Sequence, residues 1–183
     1  MLFLSPLSAG GIEPRVVIRP VPAGYAAAVE ATGFPGKNVL EAVNSGQISQ
    51  VIYEVKIYRE NLGLLALIGD TLMHELSVTY EAFRDTFTEH YEVNTHFYPN
   101  GQAQNEYRFT KPDHLIRFLS SAEKITIPET LFEDQPDLSR YYLLTKVTVV
   151  EQKLLPPFTL AAIFYPHLRT SSQWVKTEFI STP

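Results

Sequence analysis

Ile48-Ser-Gln-Val-Ile-Tyr-Glu-Val-Lys-Ile-Tyr-Arg59 is the stretch on which the fold turns. Val51, Tyr53, Val55 and Ile57 fall on one face of an extended chain; Glu54 and Lys56 fall on the other. Such alternation means one buried face and one wet face, the habit of antiparallel sheets. Upstream, Arg15 to Arg19 is a β-branched run closed by Pro20 and Pro22. Tyr25 to Thr32 is a second apolar run closed by Gly33, Pro35 and Gly36. Both read as strands, although Ala26 to Ala28 could also be helical. Between these runs and residue 48, Val39, Leu40 and Val43 lie at helical spacing. Asn38 is placed to cap that helix with Glu41 three residues on, and Gly46 to stop it.

Downstream, Leu72, His74, Leu76, Val78 and Tyr80 alternate as a strand. Phe83, Phe87 and Tyr91 recur every four residues, so helix is an alternative for the second half of 72–93. The Thr content and the shared parity with Val93 favour two strands broken near Ala82 to Asp85. Tyr98-Pro99-Asn100-Gly101 predicts a tight hairpin turn, with Glu106 to Thr110 returning as a strand. Lys111 to Ala122 predicts a second helix with the stripe Leu115, Ile116 and Leu119, and Pro112 near its first turn. Ile125 and Ile127 begin a short strand ended by Pro128. Tyr141 to Val150 is a further strand, broken by Pro156-Pro157. Phe158 to Tyr165 and Gln173 to Ile180 make the last two. Eight or more strands and two short helices predict a mainly β fold, an antiparallel β-sandwich.

The 183 residues suit one domain able to bury a core without disulfides. The 11 Phe and 10 Tyr argue against general disorder. The net charge of −5, with its cations scattered, offers no basic patch for nucleic acid and no attraction to an anionic membrane. No cysteine is present, which removes thiol catalysis, disulfides and thiolate metal sites but leaves the compartment open. Residues 1–14 read as an N-terminal arm or a signal-peptide remnant. Met1 to Ala9 is short and apolar, with Leu7 and Ala9 flanking a cleavage-like point, but it lacks a charged beginning. Residues 15–183 read as a single β-rich domain. No transmembrane segment is expected: the richest apolar run, Leu62 to Ile68, is about a third of a membrane span.

No motif for chemistry survives inspection. His74-Glu75 would need a second His at position 78, where Val stands. His90 and His96, near Glu89 and Glu92, would lie roughly 20 Å apart on a regular strand. His114 and His167 are isolated. Ser120-Ser121 and Ser171-Ser172 lack the Gly-x-Ser-x-Gly elbow. Glu133-Asp134 and Asp137, around Pro136, read as a solvated loop rather than a glycosidase pair. Gly10-Gly11 and Gly33-x-x-Gly36 lack the context of a phosphate loop. No catalytic residue, metal ligand or cofactor is assigned. Tyr141, Tyr142 and Trp174 are the candidate ligand or interface aromatics, weighed against a simple place in the core.

Three runs in the C-terminal third carry a resemblance. They are Tyr141-Tyr142-Leu143-Leu144-Thr145-Lys146-Val147, then Leu154-Leu155-Pro156-Pro157-Phe158-Thr159-Leu160 with Ser172-Gln173-Trp174. Upstream they are joined by Leu40-Glu41-Ala42-Val43-Asn44-Ser45-Gly46 with the strand at 52–59, and by Tyr107-Arg108-Phe109 leading into the helix at 115–119. Together they resemble the bacterial domain of unknown function 4390, over most of residues 25–183. Lys176 to Phe179 departs from it in lacking a second Trp. The resemblance implies an exported, periplasmic or envelope protein, and no known activity, cofactor or binding residue carries over with it. The first functional expectation is therefore a non-catalytic, extracytoplasmic interaction or structural module with an envelope protein as partner. The second is a carrier of a small apolar or lipid-like ligand held by aromatics between sheets. The third is an unrecognised hydrolase or metal-binding protein, which requires His74, His90 or His96 to converge with other titratable groups.

Overall fold

The decisive stretch forms β3 (Ser49–Arg59), in which Val51, Tyr53, Val55 and Ile57 are wholly buried while Glu54 and Lys56 stay on the far face. The computed structural model describes residues 11–22, 24–99, 103–132, 137–152 and 169–179. Within them, β1 (Glu13–Val21) and β2 (Gly24–Thr32) form a hairpin, followed by helix α1 (Gly36–Asn44) and then β3. β4 (Thr71–Arg84), β5 (Tyr91–Tyr98) and β6 (Ala103–Phe109) lead to helix α2 (Pro112–Leu119). β7 (Ser121–Pro128), β8 (Tyr141–Val150), β9 (Arg169–Ser171) and β10 (Val175–Glu178) complete the order.

These strands make two antiparallel sheets that face each other, as the alternation predicts. The smaller is β1-β2-β7; the larger runs β10-β8-β3-β4-β5-β6, with β9 pairing β8 beyond β10. One continuous core holds Ala27, Val29 and Ile127 of the small sheet against Val55, Val78 and Val147 of the large one. Ala26 to Ala28 are strand because all three pair with β1 and Ala26 and Ala27 also with β7, with a register shift at Ala28, and this outweighs alanine's helix preference. One end of the sandwich is closed by rings: Phe132 lies edge-on to Tyr25, Tyr141 and Phe179 at 4.9–5.5 Å between centroids.

Several local expectations move. The break in 72–93 falls at residues 85–90, after β4 has run through Ala82 to Arg84. The Asp85 carboxylate accepts the Phe87 N–H and the Thr88 hydroxyl, both at 2.8 Å, which turns the chain and excludes the helical alternative. Phe87 stands at the tip of that turn, almost fully exposed. Asn38 is no cap. α1 starts at Gly36, two residues earlier, and the Asn38 amide donates to Glu151 at 3.0 Å. Gly46 does stop the helix, at φ +79°. α2 is shorter than the predicted 111–122, because Ser121 already pairs with Glu30 and the Ala31 N–H donates to the Ser120 carbonyl. The last predicted strand shortens to β10, and β9 was not foreseen. Asn100-Gly101, Pro156-Pro157, the run 158–165 and Ile180 lie outside the described residues.

Candidate functional site

The two sheets are unequal, and the site follows from that. Three strands cannot cover the inner face of a sheet six strands wide, so the inner face beyond β4 needs another roof. The chain supplies it by running from β6, the edge of the large sheet, through α2 to β7, the edge of the small one. α2 turns Leu115 and Leu119, four residues apart, wholly into the core. His114, Arg117 and Phe118, also three and four apart, look instead into the gap. The result is an open groove of about 590 Å³. Tyr80 of β4, Thr95 and Phe97 of β5, and Tyr107 and Phe109 of β6 make one wall. His114, Arg117 and Phe118, with Ser121 and Glu123 of β7, make the other.

Phe118 is the centre of the aromatic lining. Its ring lies 5.1 Å from Tyr80, 4.6 Å from Tyr107 and 5.2 Å from Phe109. Tyr80 also meets Tyr53 at 5.9 Å, and the Tyr53 hydroxyl is spent inside the core on the Leu119 carbonyl at 2.8 Å. Burial, then Tyr107 and Glu123, push the Tyr80 phenol up to about 12, so it remains a neutral donor. The Thr95 hydroxyl, on a residue 2% exposed, has no hydrogen-bond partner among the described residues. A buried hydroxyl left so carries a desolvation cost of about 1–3 kcal/mol. At the rim, His114, Arg117 and Glu123 bring charge of both signs.

The three aromatics singled out in the sequence do not meet in one place. Tyr141 is 1% exposed and belongs to the ring cluster at the end of the sandwich. Tyr142, its neighbour in β8, points to the opposite face of the sheet. There it stacks on Tyr58 at 5.5 Å and its hydroxyl donates to Asp70 at 2.8 Å. Trp174 lies on that outer face too, half-exposed, with the Lys56 and Lys146 amines 5.3 and 5.6 Å from its ring. None of the three lines the groove.

The other sequence candidates are dispersed. His74 pairs with Ile57 and shares its inward face. His96 is on the outer face, 3.8 Å from Glu81, and His90 sits in the turn before β5. No group of three or more His, Asp and Glu residues able to hold a metal ion occurs among the described residues. Ser121 turns its hydroxyl to the Arg117 carbonyl. Ser172 donates to the Gln173 carbonyl and accepts the Val147 N–H, so it secures the edge of β8. His167, Glu133, Asp134 and Pro136 lie outside the described residues. Comparison with protein-family models, curated proteins and solved structures finds no match for the chain.

Proposed function

We propose that this protein is a carrier or sensor of a small, mostly apolar ligand that carries one hydrogen-bonding group, taken into the groove beneath α2. The observation that carries the reading is Thr95: a buried hydroxyl, unpartnered among the described residues, in a groove lined by five Tyr and Phe rings and rimmed by polar side chains. A ligand with a carbonyl or hydroxyl at its inner end satisfies that group, and its apolar body stacks on Phe118, Tyr107 and Phe109. The volume suits a molecule of ordinary drug or metabolite size. Arg117 and His114 favour an anionic outer end, tempered by Glu123. The resemblance to domain of unknown function 4390 supports placing this binding outside the cytoplasm.

The test is calorimetric titration with 1-anilinonaphthalene-8-sulfonate, an aromatic probe with one anionic end. Saturable one-to-one binding is expected. Ser121→Trp, which fills the mouth, weakens it at least about tenfold. Leu67→Asp, on a remote apolar loop, leaves it unchanged. Equal binding by Ser121→Trp, or none by the native chain, overturns the reading.

A further inference from the structure

The loop joining β3 to β4 carries Leu62-Gly63-Leu64-Leu65-Ala66-Leu67-Ile68, and its large side chains are 63, 85, 60, 83 and 80% exposed in order. Five adjacent apolar side chains so exposed exceed what an ordinary water-facing surface carries. Residues 63–68 form a 3-10 turn. With three residues per turn, Leu64 and Leu67 make one ridge, Leu65 and Ile68 a second, and Gly63 and Ala66 a third, smooth side. The tip is therefore apolar all round, and no side of it is turned to the protein body.

Its root is polar and clamped. The Asn61 N–H donates to Asp70 at 3.3 Å, its amide donates to the Gly69 carbonyl at 2.7 Å, and the Thr71 hydroxyl donates back to Asn61 at 3.1 Å. The Arg140 guanidinium donates to the Glu60 carbonyl at 2.8 Å. Beside this collar stand the stacked Tyr58 and Tyr142, with the Lys176 amine 4.1 Å from the Tyr142 ring.

We propose that the Leu62–Ile68 tip is a membrane anchor that dips into one leaflet of an uncharged, zwitterionic bilayer. A medium that is apolar on every side matches a plug that is apolar on every side, whereas a protein partner would need a deep socket. The turn satisfies part of its backbone internally, its end closing through the Gly69 N–H on the Ala66 carbonyl, which lowers the cost of entering the interface. The turn is roughly 12 Å long at about 2 Å per residue, and with both its ends held at the collar it enters the headgroup region and does not span. Tyr58, Tyr142 and Lys176 then fall at headgroup level, where aromatic and long cationic side chains are favoured. The net charge of −5 argues against an anionic surface, so the attachment is apolar and insensitive to salt.

The experiment is flotation of the full chain with phosphatidylcholine vesicles at low and high salt. The native chain floats at both. Leu64→Asp/Leu67→Asp partitions at least about tenfold less, while its melting temperature stays unchanged because both residues are exposed. Emission from Leu67→Trp in a Trp174→Phe background shifts to the blue on adding vesicles. The proposal falls if the native chain stays with the lipid-free fraction or if the double variant floats equally. It also falls if, without lipid, the native chain is an oligomer that the double variant turns into a monomer, for then the tip joins copies of the chain.

Discussion

Gly24 opens β2 at φ +126°, a conformation that L side chains rarely adopt, and a Cβ there would lie 2.4 Å from the Ile127 carbonyl oxygen. Gly24→Ala is expected to cost on the order of 2–4 kcal/mol, strain and overlap together, read by urea unfolding. Thr95 should behave the opposite way. Thr95→Val keeps the shape and removes a buried hydroxyl that has no partner, so without ligand the variant unfolds at equal or higher urea, by up to about 2 kcal/mol. The same variant binds a carbonyl-bearing ligand more weakly, the opposition between stability and function expected of a group kept for binding. Tyr80 gives the pH signature. Its phenol has an ordinary value of 10.0 and is pushed up to about 12 by burial, then by Tyr107 and Glu123. The folded state thus holds the proton more tightly than the unfolded one. The stabilisation is whole below pH 10 and is lost as pH climbs from 10 towards 12. Burial pushes Tyr53 up as well, with Tyr80 adding to it. Tyr142 is pushed up to about 12 too, by desolvation and then by its hydrogen bond to Asp70. Phenolate absorbance should therefore show three tyrosines of the described residues that ionise well above pH 10, and Tyr80→Phe should lower that number by one. An unchanged number in Tyr80→Phe would contradict the buried placement of Tyr80.

At the scale of the element, α2 separates two jobs on its two faces. Leu119→Ala empties a fully buried site and is expected to cost about 2–5 kcal/mol. Tyr53→Phe strands the Leu119 carbonyl and costs about 1–3 kcal/mol. Phe118→Ala removes the central ring of the groove, so its larger effect is on ligand affinity. Titrations and denaturation curves run on all three should sort them in that way. Elements of this kind were legible where one local signal dominated. The period of two in β3 gave its inward set, and Leu115 with Leu119 gave the core face of α2. Legibility failed where a distant partner decides. Asn38 has the spelling of a cap, yet Glu151 engages its side chain in the first turn of α1. The four-residue recurrence of Phe83, Phe87 and Tyr91 reflects two strands and the tip of a turn, joined through Asp85.

For the molecule as a whole, the groove is a consequence of unequal sheets, and that is why the sequence hides it. Its lining comes from β4, β5, β6, α2 and β7, and each aromatic alone is indistinguishable from a core residue. The available signal was Phe118, a large ring off the Leu115, Ile116 and Leu119 stripe. Tyr141 and Tyr142 were attractive for their adjacency, but adjacent strand residues face opposite ways. The same inequality fixes how the protein should open. β3 is paired along its length to β4 and β8, whereas, among the described residues, β6 pairs with β5 alone and β1 with β2 alone. Amide hydrogen exchange should accordingly be slowest in β3 and its two neighbours, at the rate of global unfolding, and fastest in β1 and β6. Saturating 1-anilinonaphthalene-8-sulfonate should then slow exchange in β5, β6 and α2, the walls of the groove, while β1 keeps its free rate. The contrast between two edges of similar exposure, one ligand-protected and one not, separates binding in the groove from general stabilisation. Slowing spread evenly over both edges would mean that the probe acts on the whole fold and not beneath α2.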